Sequence, residues 1–272
     1  MAKENEFVLT VDNYYSQQAN EEYMSVSQYK DFAKCQVYAM AKLKGEYVEK
    51  KSPALLQGGY MDSYFSHRLD KFKEENPQIF KKDGTLLKDY EKVNECIETA
   101  LNDKFFMEEI KGDTQVLLVG KIAGVKFKGL ADFLNSKIVD MKLIASIMEK
   151  VWVEDKETGR KKLTDFIEAY EYDKQGAVYV ELAKQMFGVE LPFELACISK
   201  EDSPDKAIIN IEQEYLDRAL KEMKENIPTY DKIKRGLLEP IGCGNCPVCR
   251  AKKKLTQVIS YKQMRGVVED EN

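Results

Sequence analysis

The sequence contains a single histidine and no long apolar run. One imidazole, His67, is a poor basis for a mechanism that depends on histidine, and we interpret it as a structural or surface residue. No stretch approaches the ~18 apolar residues that a membrane-spanning helix requires. The polar first residues lack the apolar core of a signal peptide. We therefore expect a protein without a membrane segment that remains in the cytoplasm.

An excess of positive charge is also absent. The chain has 42 Lys and Arg residues against 47 Asp and Glu residues, which gives a net charge of −5. Non-specific DNA binding draws on the neutralisation of phosphates by Lys and Arg, so this balance argues against it. A sum over the whole chain nevertheless hides local basic patches. The acidic balance therefore does not exclude a nucleic-acid substrate.

A disulfide framework is a third feature that we do not expect, although the chain has six cysteines. Disulfides are rare in cytosolic proteins, where thiols are kept reduced. Cys96 and Cys197 are isolated in the sequence and are predicted to be ordinary core residues. The cysteines near residue 245 are clustered and need a separate explanation.

The hydrophobic pattern predicts helices first and a sheet afterwards. The predicted elements are helices at about 25–45, 52–67 and 70–112, strands at 114–119, 125–134 and 137–142, a helix from about 166 or 170 to 187, strands at 193–198 and 207–211, and a helix at about 212–234. Ser25 or Ser27 can cap the first helix. Residues 150–165 are predicted to form a loop. This order indicates an α/β fold with a mixed sheet.

The most informative stretch is the predicted hairpin at 129–142, whose turn is Asn135–Ser136. Residues two apart in a strand share a face, so Asp140 and Lys142 point the same way, and Asp132 on the partner strand can approach them. Two carboxylates with open coordination positions can hold Mg²⁺, and a lysine can orient or deprotonate a water bound to it. The alternative interpretation is a solvated hairpin crossed by a salt bridge.

These three residues resemble the D…(D/E)-x-K core of the PD-(D/E)xK nuclease superfamily. Its RecB-like branch has a metal-binding His four residues after a helical Gly, and Gly58 and Asp62 keep that spacing with Asp in place of His. Aspartate is a competent ligand for Mg²⁺, although an exposed acid on a helix is the alternative. Gly58 and Gly59 also predict that another backbone passes close to this helix. Gln175 and Tyr179 match the Q-x-x-x-Y motif of the branch, and one helical turn separates them.

Cys243, Cys246 and Cys249 form a C-x-x-C-x-x-C loop that can bind a thiophilic metal if a fourth ligand joins it, and Cys35 is the natural candidate. Some RecB-like nucleases join one cysteine before the core to three after it through a [4Fe–4S] cluster, although their last spacing is usually longer. The resemblance implies such a cluster here. Structural Zn²⁺ is the second choice, and unliganded thiols are the remaining interpretation.

The chain most resembles phage-type exonucleases of the RecE and lambda-exonuclease sort, over about residues 24–255. The resemblance implies an α/β fold with a restriction-endonuclease-like core, a mixed central sheet, N-terminal helices and a C-terminal cysteine segment. We expect a single domain over 1–272. Its parts are a helical part at about 24–112, a sheet core at about 113–212, and a C-terminal helix with the cysteine-rich segment at about 213–265.

The resemblance also implies a function. The expected enzyme is a Mg²⁺- or Mn²⁺-dependent exonuclease that resects the 5′ strand of double-stranded DNA ends and leaves 3′ single strand for a RecT-like annealing protein. Such enzymes often form homo-oligomeric rings, and a phage-encoded one works in the host cytoplasm. The implied roles are metal binding by Asp132 and Asp140 with help from Asp62, water orientation by Lys142, and DNA positioning by Gln175 and Tyr179. The alternatives are a catalytically inactive DNA-binding scaffold of the same fold and a site-specific endonuclease.

Overall fold

The computed structural model describes residues 7–154 and 159–264; residues 155–158 of the predicted loop, and position 265 at the end of the predicted cysteine-rich segment, lie outside that part. The helices are α1 (Gln17–Glu22), α2 (Val26–Lys34), α3 (Gln36–Leu43), α4 (Pro53–Phe65), α5 (Leu69–Glu75), α6 (Lys92–Leu101), α7 (Lys104–Glu109), α8 (Phe166–Ala169), α9 (Tyr172–Phe187), α10 (Gln213–Lys234), α11 (Pro247–Lys252) and α12 (Tyr261–Met264). The strands are β1 (Asp113–Ile122), β2 (Val125–Leu134), β3 (Ile138–Ile144), β4 (Val151–Glu154), β5 (Lys161–Thr164), β6 (Phe193–Ser199) and β7 (Lys206–Ile211).

The central sheet is mixed, as the order of predicted elements indicates. Its strand order is β1-β2-β3-β6-β7. The strands β1, β2 and β3 form an antiparallel meander that includes the predicted hairpin, β3 and β6 run parallel, and β6 and β7 are antiparallel. The predicted α/β class with helices and a mixed central sheet is confirmed. Among the described residues, no helix combines the length and the apolar character needed to cross a bilayer.

Helices cover both faces of the sheet, and β3 contributes alternate side chains to each cover. Ile138 and Ile144 pack with residues of α9 and α10. Val139 and Met141 pack with residues of α4 and α6 on the opposite face. Because side chains alternate along a strand, Asp140 and Lys142 share the α9 side with the two isoleucines. The apolar positions of β3 therefore fix where its charged pair points.

The first predicted helix is interrupted. Ser25 caps α2 as predicted, and its Oγ accepts a hydrogen bond from the Gln28 N–H at 3.2 Å. The prediction of one helix up to residue 45 is wrong, because Cys35 is in an extended conformation with φ −168° and ψ 115°, and it separates α2 from α3. Helical spacing continues through this position, so the break has a tertiary cause. Cys35 turns toward cysteines that follow more than 200 residues later.

Three other local predictions need correction. The segment 150–165 includes the antiparallel hairpin β4–β5, whereas we predicted a loop. Among the described residues, the nearest atoms to a Cβ at Gly59 belong to the Phe72 ring, at 2.9 Å, rather than to a second backbone, and none lies within 4 Å of a Cβ at Gly58. Helical spacing in the segment 212–234 also predicts Tyr215 on the inner side of α10, but Tyr215 is 41% exposed.

Candidate active site and cysteine cluster

Asp140 and Lys142 lie on β3 in the middle of the sheet. The Lys142 ammonium group forms an ion pair with the Asp140 carboxylate, whose side chain is only 2% exposed. Burial alone would lower the pKa of Lys142, but the charges of Asp140 and Asp132 outweigh it and raise that pKa above its ordinary value. The same ammonium group lies 5.0 Å from the centroid of the Tyr172 ring. The pair is therefore held inside the protein rather than spread over a solvated hairpin.

Asp132 approaches this pair from β2. Its Oδ2 accepts a hydrogen bond from the Met141 backbone N–H at 2.8 Å, so β2 and β3 are linked at the site. Burial raises the pKa of Asp132 well above its usual range, and the charges of Asp62 and Asp140 raise it further. The carboxylate is therefore within electrostatic reach of two other carboxylates.

Asp62 reaches the same place from α4, on the other side of the cleft. Its two oxygens accept hydrogen bonds from Gln115 Nε2 at 3.2 and 3.4 Å. Burial, followed by the charge of Asp140, raises the pKa of Asp62 to about 6. Asp62, Asp132, Asp140 and Lys142 all line one cavity of about 930 Å³. The structure thus brings together the four residues that the sequence predicted to meet.

The composition of this cluster fits a divalent cation. Three carboxylates face one ammonium group, and burial and mutual repulsion raise the pKa values of Asp62 and Asp132. Oxygen ligands of this kind are those that Mg²⁺ and Mn²⁺ prefer. A cation among them would offset the excess negative charge that the fold concentrates there.

Gln175 and Tyr179 lie on α9, and Gln175 contacts the cluster directly. Gln175 Nε2 donates a hydrogen bond to Asp140 Oδ1 at 2.8 Å and lies 3.2 Å from the Tyr179 hydroxyl. The Tyr179 ring packs on β2, where a Cβ at Gly129 would come within 2.8 Å of it. The Q-x-x-x-Y pair therefore holds the Asp140 carboxylate. Its predicted contact with DNA stays a prediction.

The sequence did not single out several residues of this cavity. Gln115 stands between Asp62 and Arg68, whose Nη1 donates to its Oε1 at 3.3 Å, and it has a left-handed backbone with φ +53°. Nothing in the strand pattern indicates that conformation. Tyr172 is different, because it precedes Gln175 by three positions and so shares a helix face with it. That spacing could have identified it.

Two further lysines and a tyrosine lie in or near this cavity. Lys30 lies 5.7 Å from the Tyr172 ring and donates to the Tyr170 carbonyl at 2.7 Å. Burial lowers the pKa of Lys30 to about 8. Lys128 lines the cavity, and its ammonium group donates to Asn20 Oδ1 at 2.7 Å. Tyr15 also lines the cavity and is 78% exposed.

The four predicted cysteines form a second cluster. The sulfur atoms of Cys35, Cys243, Cys246 and Cys249 all lie within 4.8 Å of one another, and all four thiols are free. Cys35 comes from the junction of α2 and α3, and the others come from the segment around α11. Hydrogen bonds from the backbone of Asn245 and Cys246 lower the pKa of Cys243 to about 6. Cys96 and Cys197 are buried elsewhere, as expected, and His67 is exposed.

Comparisons with known proteins agree with this arrangement. The family described as "PDDEXK-like domain of unknown function (DUF3799)" matches residues 25–252. A crystal structure of a protein from Eubacterium rectale, named "Putative exonuclease", matches with a TM-score of 0.88 at 40% sequence identity. That match covers 96% of this chain and 100% of the other. No curated protein matches the chain.

Proposed function

Because the chain belongs to the PDDEXK-like family, we propose that it is a metal-dependent deoxyribonuclease that degrades double-stranded DNA from its ends. The observation that carries this proposal is the meeting of Asp62, Asp132, Asp140 and Lys142 in one cavity. The name of the Eubacterium rectale protein supports an exonuclease rather than another nuclease.

In the proposed mechanism, Asp132 and Asp140 would hold Mg²⁺ or Mn²⁺, and Asp62 would assist from α4. The metal would lower the pKa of a bound water and stabilise the charge that develops on the phosphoryl oxygens. Lys142, paired with Asp140, donates a hydrogen bond that orients the attacking water. Gln175 fixes the Asp140 carboxylate, and Tyr179 limits the movement of Gln175. Preorganisation of this kind spares the site a rearrangement during the reaction.

We further propose the 5′-to-3′ polarity, the RecT-like annealing partner and the ring-shaped oligomer that the resemblance to RecE-type enzymes implies. A ring would place the lysines of several cavities around one DNA axis. It would thereby gather positive charge locally although each chain carries a net charge of −5. Association through such a ring would depend on salt concentration.

The test is digestion of linear duplex DNA labelled at either the 5′ or the 3′ end. We expect wild-type protein with Mg²⁺ to release the 5′ label first, and we expect EDTA, Asp140→Asn or Lys142→Ala to stop digestion while the fold is retained. Asp202→Asn and Lys82→Ala, which change exposed residues outside the cavity, are the matched controls. Activity that survives EDTA would contradict the metal role.

Two outcomes would favour the other candidate functions. Linear duplex left intact by the wild-type protein, with DNA binding retained, would indicate an inactive scaffold of the same fold. Cleavage of covalently closed circular duplex would indicate an endonuclease, since an exonuclease requires an end.

The cysteine cluster has a separate role in this proposal. We propose that the four thiols hold a metal that joins α3 to α11 and takes no part in the chemistry at the carboxylates. Such a site contributes to folding, because the unfolded chain does not present its ligands together.

A further inference from the structure

The separations between the four sulfur atoms distinguish the possible occupants of the cysteine cluster. Cys35 Sγ lies 3.6 Å from Cys249 Sγ and 3.7 Å from Cys246 Sγ. No pair of the four sulfurs is more than 4.8 Å apart. These distances are too long for disulfides, in which the sulfurs are about 2 Å apart. They are compatible with thiolates that surround one small centre.

A single zinc ion has the matching dimensions. With Zn–S bonds of about 2.3 Å and tetrahedral geometry, neighbouring sulfurs are about 3.8 Å apart. The two shortest separations here, 3.6 and 3.7 Å, lie next to that value. The remaining sulfur pairs are at most 4.8 Å apart. Small movements of these side chains toward an ion would complete the tetrahedron.

The [4Fe–4S] cluster that the resemblance implies does not fit these distances. In a cubane each cysteine binds a different iron, and the thiolates project outward from alternate corners. Their sulfurs are consequently separated by roughly 6 Å, because eight cluster atoms lie between them. Because every pair of sulfurs lies within 4.8 Å, the space between them is too small for the four irons and four sulfides of the cluster. Enlarging it would require Cys35, at the helix junction, to move away from α11.

The backbone around the sulfurs is also arranged tightly. Backbone N–H groups donate to three of them: Cys243 to Cys35 Sγ at 3.3 Å, Cys246 to Cys243 Sγ at 3.2 Å, and Cys249 to Cys246 Sγ at 3.4 Å. Such bonds offset part of the charge of thiolates that share one cation. A Cβ at Gly242 would lie 3.0 Å from Cys249 Sγ, so the chain passes directly over the cluster.

We propose that Cys35, Cys243, Cys246 and Cys249 bind one Zn²⁺ in a closed tetrahedral site, and that this protein departs from the iron–sulfur type of its RecB-like relatives. The short last spacing, C-x-x-C, agrees with a smaller centre than the longer spacing of those relatives. Four thiolates also accept a single Fe²⁺, but zinc binds such a site more tightly than ferrous iron does.

The site has a defined structural role. It fixes the junction between α2 and α3, and these helices carry Asp31, Phe32, Ala39 and Lys42, which line the catalytic cavity. Zinc bound there stabilises one wall of the cavity without touching the carboxylates. Because zinc has no redox chemistry in proteins, the metal itself would not change oxidation state there, as the irons of an iron–sulfur cluster can.

The test is metal analysis of the intact protein, which is independent of any nuclease activity. The protein is purified without oxygen from cells supplied with both iron and zinc, and zinc, iron and acid-labile sulfide are measured per chain. We expect about one zinc, no sulfide and no brown colour. Cys246→Ser is expected to lose the zinc, whereas Cys96→Ser, a buried cysteine outside the cluster, is expected to keep it.

Each other result overturns the proposal. About four irons with sulfide per chain would establish the iron–sulfur cluster, and one iron without sulfide would exclude zinc. Should Cys246→Ser fail to fold, release of zinc from wild-type protein by a thiol-modifying mercurial, followed with a chromogenic chelator, provides the measurement. If metal-free wild-type protein took up neither zinc nor cobalt, the four cysteines would not form a metal site.

Discussion

The carboxylate site and the cysteine cluster are assembled in opposite ways. Asp132, Asp140 and Lys142 come from neighbouring strands of one hairpin, and the sheet holds them in place from both sides. Cys35 lies 214 positions before Cys249, and the cluster packs with a small apolar group that includes Tyr38, Ala41 and Val248. The carboxylates are therefore positioned before any metal arrives, at a cost in repulsion. We expect the thiols, which come from distant parts of the chain, to depend on the proposed zinc ion to stay together.

The largest expected effect is on nuclease activity, and the same variant tests whether repulsion among the carboxylates destabilises the fold. Asp132→Asn should lower nuclease activity by about 10³-fold, since it removes a metal ligand and with it several kcal/mol of transition-state stabilisation. The same change should raise the free energy of unfolding of the metal-free protein, because burial and the neighbouring carboxylates disfavour ionised Asp132. End-label digestion and urea unfolding in EDTA measure the two effects.

A fall in metal-free stability with Asp132→Asn would contradict this account. The Met141 N–H can still donate to the asparagine oxygen, so such a fall would mean that the ionised carboxylate itself stabilises the fold. Asp202→Asn should change neither quantity.

The second effect concerns the cysteine cluster, where a substitution should lower stability and have only a small effect on activity. Cys246→Ser should destabilise the protein by about 3 kcal/mol, by analogy with the loss of a cross-link that closes a long loop. For a chain of this size that corresponds to a fall in Tm of roughly 6–12 °C. Activity at a temperature well below the Tm should fall far less than with Asp132→Asn. Scanning calorimetry and digestion of the same samples provide the comparison.

A smaller effect is expected at Gln115, which supports Asp62. Gln115→Ala removes the hydrogen bonds to Asp62, and loss of a group that orients a metal ligand typically weakens metal affinity or activity by about 10-fold or more. The Mg²⁺ concentration for half-maximal activity should therefore rise about 10-fold. Gln17→Ala on α1, far from the carboxylates in the sequence, is the control. An unchanged Mg²⁺ requirement would mean that Asp62 needs no such support.

The smallest expected effect is on the pH dependence of stability, and it depends on the opposite pKa shifts of two lysines in one cavity. Lys142 has carboxylate partners that raise its pKa, whereas burial lowers the pKa of Lys128 to about 8. In the unfolded chain this lysine titrates near pH 10.4. Between about pH 8 and pH 10.4 the folded protein therefore binds fewer protons than the unfolded chain, and the free energy of unfolding should increase as the pH rises. The gain from Lys128 should be about 1 kcal/mol between about pH 8 and pH 9.

Urea unfolding of the wild type and of Lys128→Met at several pH values isolates this contribution. The difference in the free energy of unfolding between the two proteins should change with pH in this window. A constant difference would mean that Lys128 titrates alike in the folded and unfolded states.

The sequence predicted the central sheet and most of the candidate site because those features follow from local patterns. Period-two alternation placed Asp140 and Lys142 on one face, and helical spacing paired Gln175 with Tyr179. The break at Cys35 and the left-handed backbone of Gln115 could not be predicted in this way, since each depends on residues distant in sequence. The spacing of the cysteines left iron and zinc open, and only distances in space distinguish them. The division of the chain into one domain stays a prediction.

The long separation between Cys35 and its partners has a consequence for synthesis. A ribosome adds Cys35 early and Cys249 214 positions later, so the cross-link cannot close during most of translation. A product that stops before Cys243 would retain the carboxylates of the proposed active site and yet lack the proposed cross-link at the α2–α3 junction. Cellular proteases that act on loosened segments would thus remove shortened copies in preference to longer ones. With the proposed zinc bound, the thiols would in this way limit the amount of the proposed nuclease whose cleft is incompletely formed.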